Sequence, residues 1–306
     1  MAHKALVTLA ASVGLALSLG FASSGATQAP ATAPPTPEPS ATPAPAGEPG
    51  YAGTEACVVC HEDAAKSFQH TPHVGNGKGC EGCHGPGQAH IDASGDKTKI
   101  VSFKTLSPLD ASATCMGCHN KGEQKHWMGS MHDSKNISCV SCHAVHPKGE
   151  VAPEALLSKP QMVLCTGCHL QKKAQLLRPG HMPVREGKMQ CTSCHNPHGT
   201  TNDKMLLQTS VNQNCYTCHA EKRGPFLWEH PPVRENCLNC HDAHGTVNEK
   251  MLKVKAPLLC QQCHQTSSHP GPAYPAQSRY AFNQACLHCH PSIHGSVHPS
   301  GNRFFR

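Results

Sequence analysis

The sequence predicts a mostly irregular protein, with short α-helices, many turns and essentially no sheet, that cannot build a conventional apolar core. Only 4% of its 306 residues are aromatic, and the hydrophobic share of 38% includes all 20 cysteines. This leaves too little apolar surface for an ordinary domain of this length. Short helices are expected around segments such as 172–177 and 204–207. The missing apolar volume must therefore come from groups that are not amino acids.

Every cysteine belongs to a Cys-x-x-Cys-His motif, and the chain contains ten such motifs. The two thiols of this motif add to the vinyl groups of a haem, and the histidine behind them becomes the proximal iron ligand. We therefore predict ten covalently bound c-type haems, which would also supply the missing apolar volume. The haem-binding cysteines are Cys57 and Cys60, Cys80 and Cys83, Cys115 and Cys118, Cys139 and Cys142, Cys165 and Cys168, Cys191 and Cys194, Cys215 and Cys218, Cys237 and Cys240, Cys260 and Cys263, and Cys286 and Cys289. The proximal histidines are His61, His84, His119, His143, His169, His195, His219, His241, His264 and His290.

Zinc knuckles or redox-active cysteine pairs are the alternative explanation of so many Cys-x-x-Cys pairs. A zinc site of this type needs two pairs per ion, and neither alternative requires a histidine directly after each second cysteine. Because all ten pairs have that histidine, haem attachment is favoured. Without haem the chain is not expected to fold, for the reason that small metal domains fail to fold without their metal.

The N-terminus predicts export, which suits c-type haem because that haem is attached outside the cytoplasm. Residues 1–26 have a short polar start and an apolar stretch of small residues, with candidate cleavage points after Ala22 or Ala26. Residues 27–50 consist almost entirely of Ala, Pro, Thr, Glu and Gly, a composition typical of an extended linker. Residues 51–306 are the predicted decahaem cytochrome domain.

The motifs fall into five pairs that repeat along the chain, which predicts five units with two haems each. Residues 181–201 align with 230–247, and the tails behind them match as well, NDKMLL at 202–207 and NEKMLK at 248–253. Internal repeats of this kind predict an elongated, haem-stacked array in which each unit contacts mainly its neighbours.

Ten further histidines stand at equivalent places in the repeats, and we predict them as distal iron ligands. Those before the second motif of each unit are His73, His132, His181, His230 and His269, and those behind it are His90, His146, His198, His244 and His294. A histidine three residues after a proximal one cannot easily reach around its own haem, so it is expected to cap a neighbouring haem. Three choices stay open, since His70, His126 and His298 compete with His73, His132 and His294.

A full set of axial histidines argues against an enzyme, because haem enzymes keep an open or weakly held iron position. No catalytic residue is predicted, and none of the ten motifs departs from the pattern. The formal charge of +6 and the isoelectric point of 8.5 describe only the haem-free chain. Each haem brings two negative propionates, so a nucleic-acid partner is not expected.

The segments CEGCHGPGQAH at 80–90, HWMGSMH at 126–132 and CLHCHPSIHGSVHPSGNRFFR at 286–306 stand within a paired repeat that spans 51–306. In these features the chain resembles the MtrA/DmsE/PioA family of periplasmic decahaem c-type cytochromes. The resemblance implies an electron conduit in the periplasm, associated with the outer membrane and inserted in an outer-membrane β-barrel porin. Its implied electron partners are outer-surface cytochromes and periplasmic or inner-membrane cytochromes, in metal or dimethyl sulfoxide reduction or in Fe(II) oxidation. A free periplasmic shuttle to a soluble partner is the alternative, and a multihaem reductase is less favoured.

Overall fold

The computed structural model describes residues 50–76, 79–148, 154–264 and 286–305. The predicted signal peptide, nearly all of the predicted linker and the predicted ligand His269 lie outside these residues, so the domain boundaries stay predictions. No helix among the described residues is long and apolar enough to cross a membrane.

The regular structure of the described residues consists of short helices joined by turns, and the longest of these helices has nine residues. The α-helices are α1 (Thr54–Val58), α2 (Glu62–Gln69), α3 (Glu81–His84), α4 (Gln88–Asp92), α5 (Pro108–Met116), α6 (Gln161–Thr166), α7 (Leu170–Leu176), α8 (Val211–Tyr216), α9 (Pro231–Glu235) and α10 (Leu258–Gln261). Turns of 3-10 helix cover Pro72–Asn76, Lys97–Lys99, Gly122–Gln124, Asp133–Lys135, Cys139–Ser141, Glu154–Leu156, Cys191–Ser193, Asp203–Met205, Ala220–Lys222, Cys237–Asn239, Glu249–Met251, Cys286–His288 and Gly301–Arg303. Within the described ranges the extended backbone forms only isolated bridges. The predicted irregular, helix-poor fold is confirmed, and α7 covers most of the helix expected at 172–177.

All ten motifs close the same helical turn. In each of them the histidine amide donates to the carbonyl of the first cysteine, four residues earlier, at 2.9–3.1 Å. Residues three and four positions apart lie on one face of such a turn. The two cysteines and the histidine of each motif therefore share a face, which is the arrangement that one haem requires.

The two motifs of a unit sit in different local structures. We number the motifs 1 to 10 along the chain and the units 1 to 5. The first cysteine of each odd motif lies within an α-helix, in α1, α5, α6, α8 and α10. The first cysteine of motifs 4, 6, 8 and 10 instead begins a 3-10 turn, and that of motif 2 directly precedes α3. Serine caps fix two of the odd-motif helices, since Ser107 and Ser210 accept from the amides of Asp110 and Gln213.

The helix predicted over 204–207 is wrong. Lys204 and Met205 have φ angles of 54° and 55°, in the left-handed region, and Leu206 is extended with φ −67° and ψ 145°. The segment leaves the helical path because its backbone returns to motif 6, where the Leu207 amide donates to the Cys194 carbonyl at 3.0 Å. Pairing with the motif has overridden the helical preference of these side chains.

Protein side chains build almost no apolar core. Among the described residues only five apolar side chains are buried, those of Ala111, Trp127, Leu156, Leu176 and Phe304. Burial of five such side chains cannot offset the conformational entropy lost on ordering more than 200 residues, at about 1–2 kcal/mol per residue. The fold therefore depends on apolar surface that the haems supply.

The haem-free chain is accordingly expected to have no cooperative unfolding transition. Calorimetry and circular dichroism of the signal-less chain, made in the cytoplasm where haem is not attached, would test this against the haem-loaded protein. A sharp thermal transition in the haem-free sample would contradict the haem-dependent core.

Candidate haem-ligation sites

Histidine rings from distant parts of the chain lie opposite each other in eight pairs. Each pair joins a motif histidine to one predicted distal histidine, with ring centroids 5.9–6.4 Å apart. The pairs are His61 with His90, His84 with His146, His119 with His73, His143 with His198, His169 with His132, His195 with His244, His241 with His294, and His264 with His230. No histidine occurs in two of these pairs.

This separation fits two imidazoles that bind one iron from opposite sides. A nitrogen of imidazole binds a transition metal at about 2.0–2.1 Å, so two rings facing each other across one ion have centroids about 6 Å apart. Among the described residues no group of three or more His, Cys, Asp or Glu could hold a metal ion. A set of only two protein ligands fits a haem iron, because the porphyrin supplies the remaining four ligands.

The pairs follow a rule along the chain. The histidine of an even motif faces the histidine behind the next even motif, as His84 faces His146. The histidine of an odd motif faces one from the unit before it, as His119 faces His73. Units 1 and 2 thus exchange one histidine in each direction, and so do units 2 and 3. Motif 1 has no preceding unit, and His61 faces His90 of its own unit.

Where two histidines compete, the structure places one of them opposite a motif histidine. His73, His132 and His294 occupy these places. Among the described residues the four spare histidines make no ring contact with another histidine; they are His70, His126, His288 and His298.

One predicted distal histidine among the described residues, His181, lies opposite no motif histidine. His181 does not face His219: its Nε2 lies 3.1 Å from Glu186 Oε1, and its Nδ1 donates to the Arg178 carbonyl at 2.6 Å. The hydrogen bond with Glu186 raises the pKa of His181. The loop after His181 is three residues longer than the loop after His230, which changes the path to the next motif. The predicted distal ligand His269 lies outside the described residues.

Burial keeps most of the other distal rings neutral, which is the form that binds a metal. Loss of solvation is the largest cause of a lowered pKa in five of them, His73, His198, His230, His244 and His294. The pKa of His181, which is hydrogen-bonded to the Glu186 carboxylate, shifts in the opposite direction.

The loops behind motifs 6, 8 and 10 dock on the preceding unit. Gln175 donates to Asp242 at 2.7 Å, and Gly180 forms a backbone bridge with Thr246. Gly245, directly after His244, has φ +136° and lies so close to the Gln175 carbonyl that a β-carbon there would collide with it. Equivalent contacts join Asn196 to the Glu123 carbonyl and Trp228 to Ser296. These contacts carry each distal histidine into the neighbouring unit.

The cysteines place consecutive motifs side by side in chain order. Within every unit the first cysteines of the two motifs lie close enough to shift each other's pKa, in the pairs Cys57–Cys80, Cys115–Cys139, Cys165–Cys191, Cys215–Cys237 and Cys260–Cys286. Between units the second cysteines lie within electrostatic reach of each other, in the pairs Cys83–Cys118, Cys142–Cys168, Cys194–Cys218 and Cys240–Cys263. Nine neighbour relations thus link motif 1 to motif 10 without a gap.

These sulfur contacts perturb the thiols of the haem-free chain. The hydrogen bond from Cys115 lowers the pKa of the Cys139 thiol to about 6, and the same bond raises the pKa of Cys115. Burial is the largest cause at Cys57, whose pKa rises to about 11. Thioether formation removes these titrations, so in the haem-loaded chain the contacts report proximity alone.

Backbone carbonyls orient the motif histidines, a feature that the sequence analysis missed. In all five even motifs the proximal Nδ1 lies next to a carbonyl oxygen further along the chain. Four of these distances are 2.7–3.0 Å, and the acceptors are the carbonyls of Val101, Ala155, Lys204, Lys250 and Arg303. A carbonyl can only accept, so Nδ1 carries the proton and Nε2 keeps its lone pair for a metal.

Glu81, between the two cysteines of motif 2, is a second feature that the sequence did not reveal. Its carboxylate is buried and accepts from the amides of Ala52, Gly53 and Gly87 at 2.7–2.9 Å. Burial alone would raise its pKa, but the three amide donors outweigh burial and lower it. Glu81 therefore fixes the start of the described chain against motif 2.

Known proteins similar to this chain are multihaem cytochromes. The family model described as a doubled CXXCH motif matches residues 181–224 and 230–269, and that of the cytochrome c-type protein NrfB-like family matches residues 80–168. The multiheme cytochrome MtrA of Shewanella baltica is 43% identical over 81% of this chain and 80% of its own length. A high-molecular-weight cytochrome c of Nitratidesulfovibrio vulgaris is 26% identical over 50% of this chain and 27% of its own length. An undecaheme cytochrome from the S-layer of Carboxydothermus ferrireducens is 22% identical over 75% of this chain and 33% of its own, with a TM-score of 0.13, too low to carry an argument.

The choice between His126 and His132 can be tested by two matched substitutions. His132→Ala is expected to leave one iron without its distal ligand, because His132 lies opposite His169. That iron should become high-spin and bind carbon monoxide when reduced, whereas His126→Ala should leave every haem low-spin. Electron paramagnetic resonance and visible spectra of the two variants would measure this, and the reverse outcome would move the ligand to His126.

Proposed function

The chain belongs to the MtrA-type family of multihaem c-type cytochromes, and we propose that it conducts electrons between the periplasm and the cell exterior. As a member of this family it is an electron carrier with covalently bound haems rather than an enzyme. In this proposal an outer-membrane β-barrel porin surrounds it. Periplasmic or inner-membrane cytochromes meet one end and outer-surface cytochromes meet the other. The external reaction is the reduction of a metal or of dimethyl sulfoxide, or the oxidation of Fe(II).

The proposal includes ten haems with two axial histidines each. Eight ring pairs at the separation of two axial imidazoles support this ligand set. The repeat rule assigns His181 as the distal ligand in motif 7, and elimination leaves His269 for motif 10. Each haem would supply one-electron chemistry, and the protein would hold its iron six-coordinate in both oxidation states.

The single observation that carries the conduit is the unbroken order of the motifs. Because the vinyl edge of a c-type haem is bonded to its cysteines, cysteines that lie close together bring haem edges close together. The first cysteines within each unit, and the second cysteines of adjoining units, lie close enough to shift each other's pKa, and these relations run from motif 1 to motif 10. A soluble shuttle needs only one accessible haem, whereas ten haems in a continuous order suit electron transfer between two separate partners.

The proposal also assigns roles to the N-terminus. Residues 1–26 direct export, and residues 27–50 tether the haem domain, 51–306, without folding themselves. A porin is required in this account because the described chain is rich in loops. Unpaired backbone groups and haem propionates would be costly against bare lipid. The conduit is therefore expected to work in the periplasm, in association with the outer membrane.

Vesicles with a trapped redox dye test the conduit directly. The haem-loaded protein alone is expected to stay soluble and to pass no electrons to the dye. Together with its proposed outer-membrane β-barrel partner, the protein should let an external reductant change the colour of the dye within the vesicle.

Vesicles that hold the barrel alone are the control for leakage. Dye reduction that does not depend on the cytochrome, or none with both proteins present, would leave the free periplasmic shuttle as the better account. Mass spectrometry of the same sample should give the mature chain plus ten haems.

A further inference from the structure

The repeated tails behind the even motifs form a turn that the electron-carrier function does not by itself explain. We call this turn the clip, and define it as residues 154–157 for motif 4, 203–206 for motif 6 and 249–252 for motif 8. In each clip two successive residues, none of them glycine, are left-handed with φ 51–55°. They are Ala155 and Leu156, Lys204 and Met205, and Lys250 and Met251.

Left-handed backbone is unfavourable for a residue with a β-carbon, and two in succession are rare. In an exposed turn without a further function, glycine would be the favoured residue because it takes positive φ without steric cost. The recurrence of Lys-Met in two clips indicates that the surrounding bonds, rather than the residue types, impose the conformation. The conformation has the same result in all three clips. The carbonyl of the first left-handed residue accepts a hydrogen bond from the Nδ1 of the motif histidine, at 2.7 Å in motif 4, 3.0 Å in motif 6 and 2.8 Å in motif 8.

A framework of hydrogen bonds holds each clip against its motif. In motif 8 the Asp242 amide donates to the Met251 carbonyl and the Lys253 amide to the Cys240 carbonyl, both at 2.9 Å. Asn248 supports the turn from within, because its Nδ2 donates to the Leu252 carbonyl at 2.9 Å. Motif 6 has the same set, with Asn202 in the place of Asn248. The acceptor carbonyl is therefore fixed relative to the cysteines that bind the haem.

We propose that the clip is a positioning element that lowers the reduction potential of the haems in motifs 4, 6 and 8. A proximal imidazole that donates its Nδ1 proton to a fixed carbonyl is a stronger electron donor to iron, which stabilises the ferric state. The clip residues act through the histidine and do not touch the iron. This proposal rests on the proposed ligation of iron by the motif histidines.

Odd motifs lack this device. The ring of His119 in motif 3 makes no hydrogen bond to another described residue, and the Nδ1 of its opposing ring, His73, is buried without a partner. His230, opposite His264 of motif 9, is in the same state. We therefore expect the haems of motifs 3 and 9 to be reduced before those of motifs 4 and 8. Electrons in the array would then meet sites of unequal affinity.

Motif 8 offers the sharpest test, because the clip is the one hydrogen-bond partner of either ring of its histidine pair among the described residues. Proline cannot take the φ of +54° found at Lys250, whereas glycine can. Lys250→Pro should therefore release the carbonyl from His241, and Lys250→Gly should keep it in place. Lys250 is exposed, so neither change removes a buried side chain.

The experiment is a potentiometric titration of the full haem-loaded chain, followed by its visible spectrum. In Lys250→Pro one component, a tenth of the absorbance change, should shift to a more positive potential, while Lys250→Gly titrates like the parent protein. Asn248→Ala, which loosens the clip without a proline, should shift the same component in the same direction by less. It keeps the test informative if Lys250→Pro does not fold.

Haem count and spin state are measured on the same samples and test the ligand assignment separately. Ten low-spin haems with an unshifted titration in both Lys250→Pro and Asn248→Ala would overturn the role of the clip and leave the ligands standing. An equal shift in Lys250→Gly would also overturn it. A high-spin haem in Lys250→Pro would mean that the clip is needed for ligation itself, and would contradict a role confined to the potential.

Discussion

The interaction on which the rest of the structure depends is the pairing of a histidine from one repeat unit with a motif histidine of the next. Only five apolar side chains are buried in the described part of the chain, which is too few to stabilise the fold. The haems that would lie between the paired histidine rings must therefore stabilise it. At the junction between the first two units, His73 faces motif 3 and His146 faces motif 2. With an iron between each pair, every such junction would carry two coordinate bonds in opposite directions. Units linked in this way cannot fold or part independently, unlike repeats that merely stack.

The same exchange explains why the motifs keep their order in space. A distal histidine can reach the neighbouring unit only if the loop that carries it docks there, as Gln175 and Asp242 or Trp228 and Ser296 do. Docking in turn brings the cysteines of successive motifs together. The loop docking that would supply each iron with a second ligand thus also places successive haems close together. Electron transfer from haem to haem needs such short distances. Fold and function in this chain follow from one constraint.

Counting motifs and apolar residues in the sequence predicted the irregular fold and the covalent haems, and both are confirmed. The ten repeated histidines also predicted the distal ligands and the capping of neighbouring haems, and that ligand set stays a prediction. The features that counting missed depend on backbone conformation. The residue types of a Lys-Met-Leu segment do not predict two left-handed residues. Their side chains favour the helix that we predicted there. The buried bonds of Glu81 were equally hidden, because its three donors are main-chain amides. The pairing of His181 with Glu186 arises in a loop that is longer than its equivalent, where the repeat is a poor guide.

The most direct test of the account is the identity of the two axial ligands on a single iron. An experimental structure of the haem-loaded chain, by crystallography or electron cryomicroscopy, would establish it for the haem bonded to Cys80 and Cys83. The account predicts that this iron lies between His84 of the first unit and His146 of the second, and that His73 binds the iron of motif 3. If His146 instead binds the haem bonded to Cys139 and Cys142, or if each unit provides both ligands of its own haems, the exchange between units is contradicted.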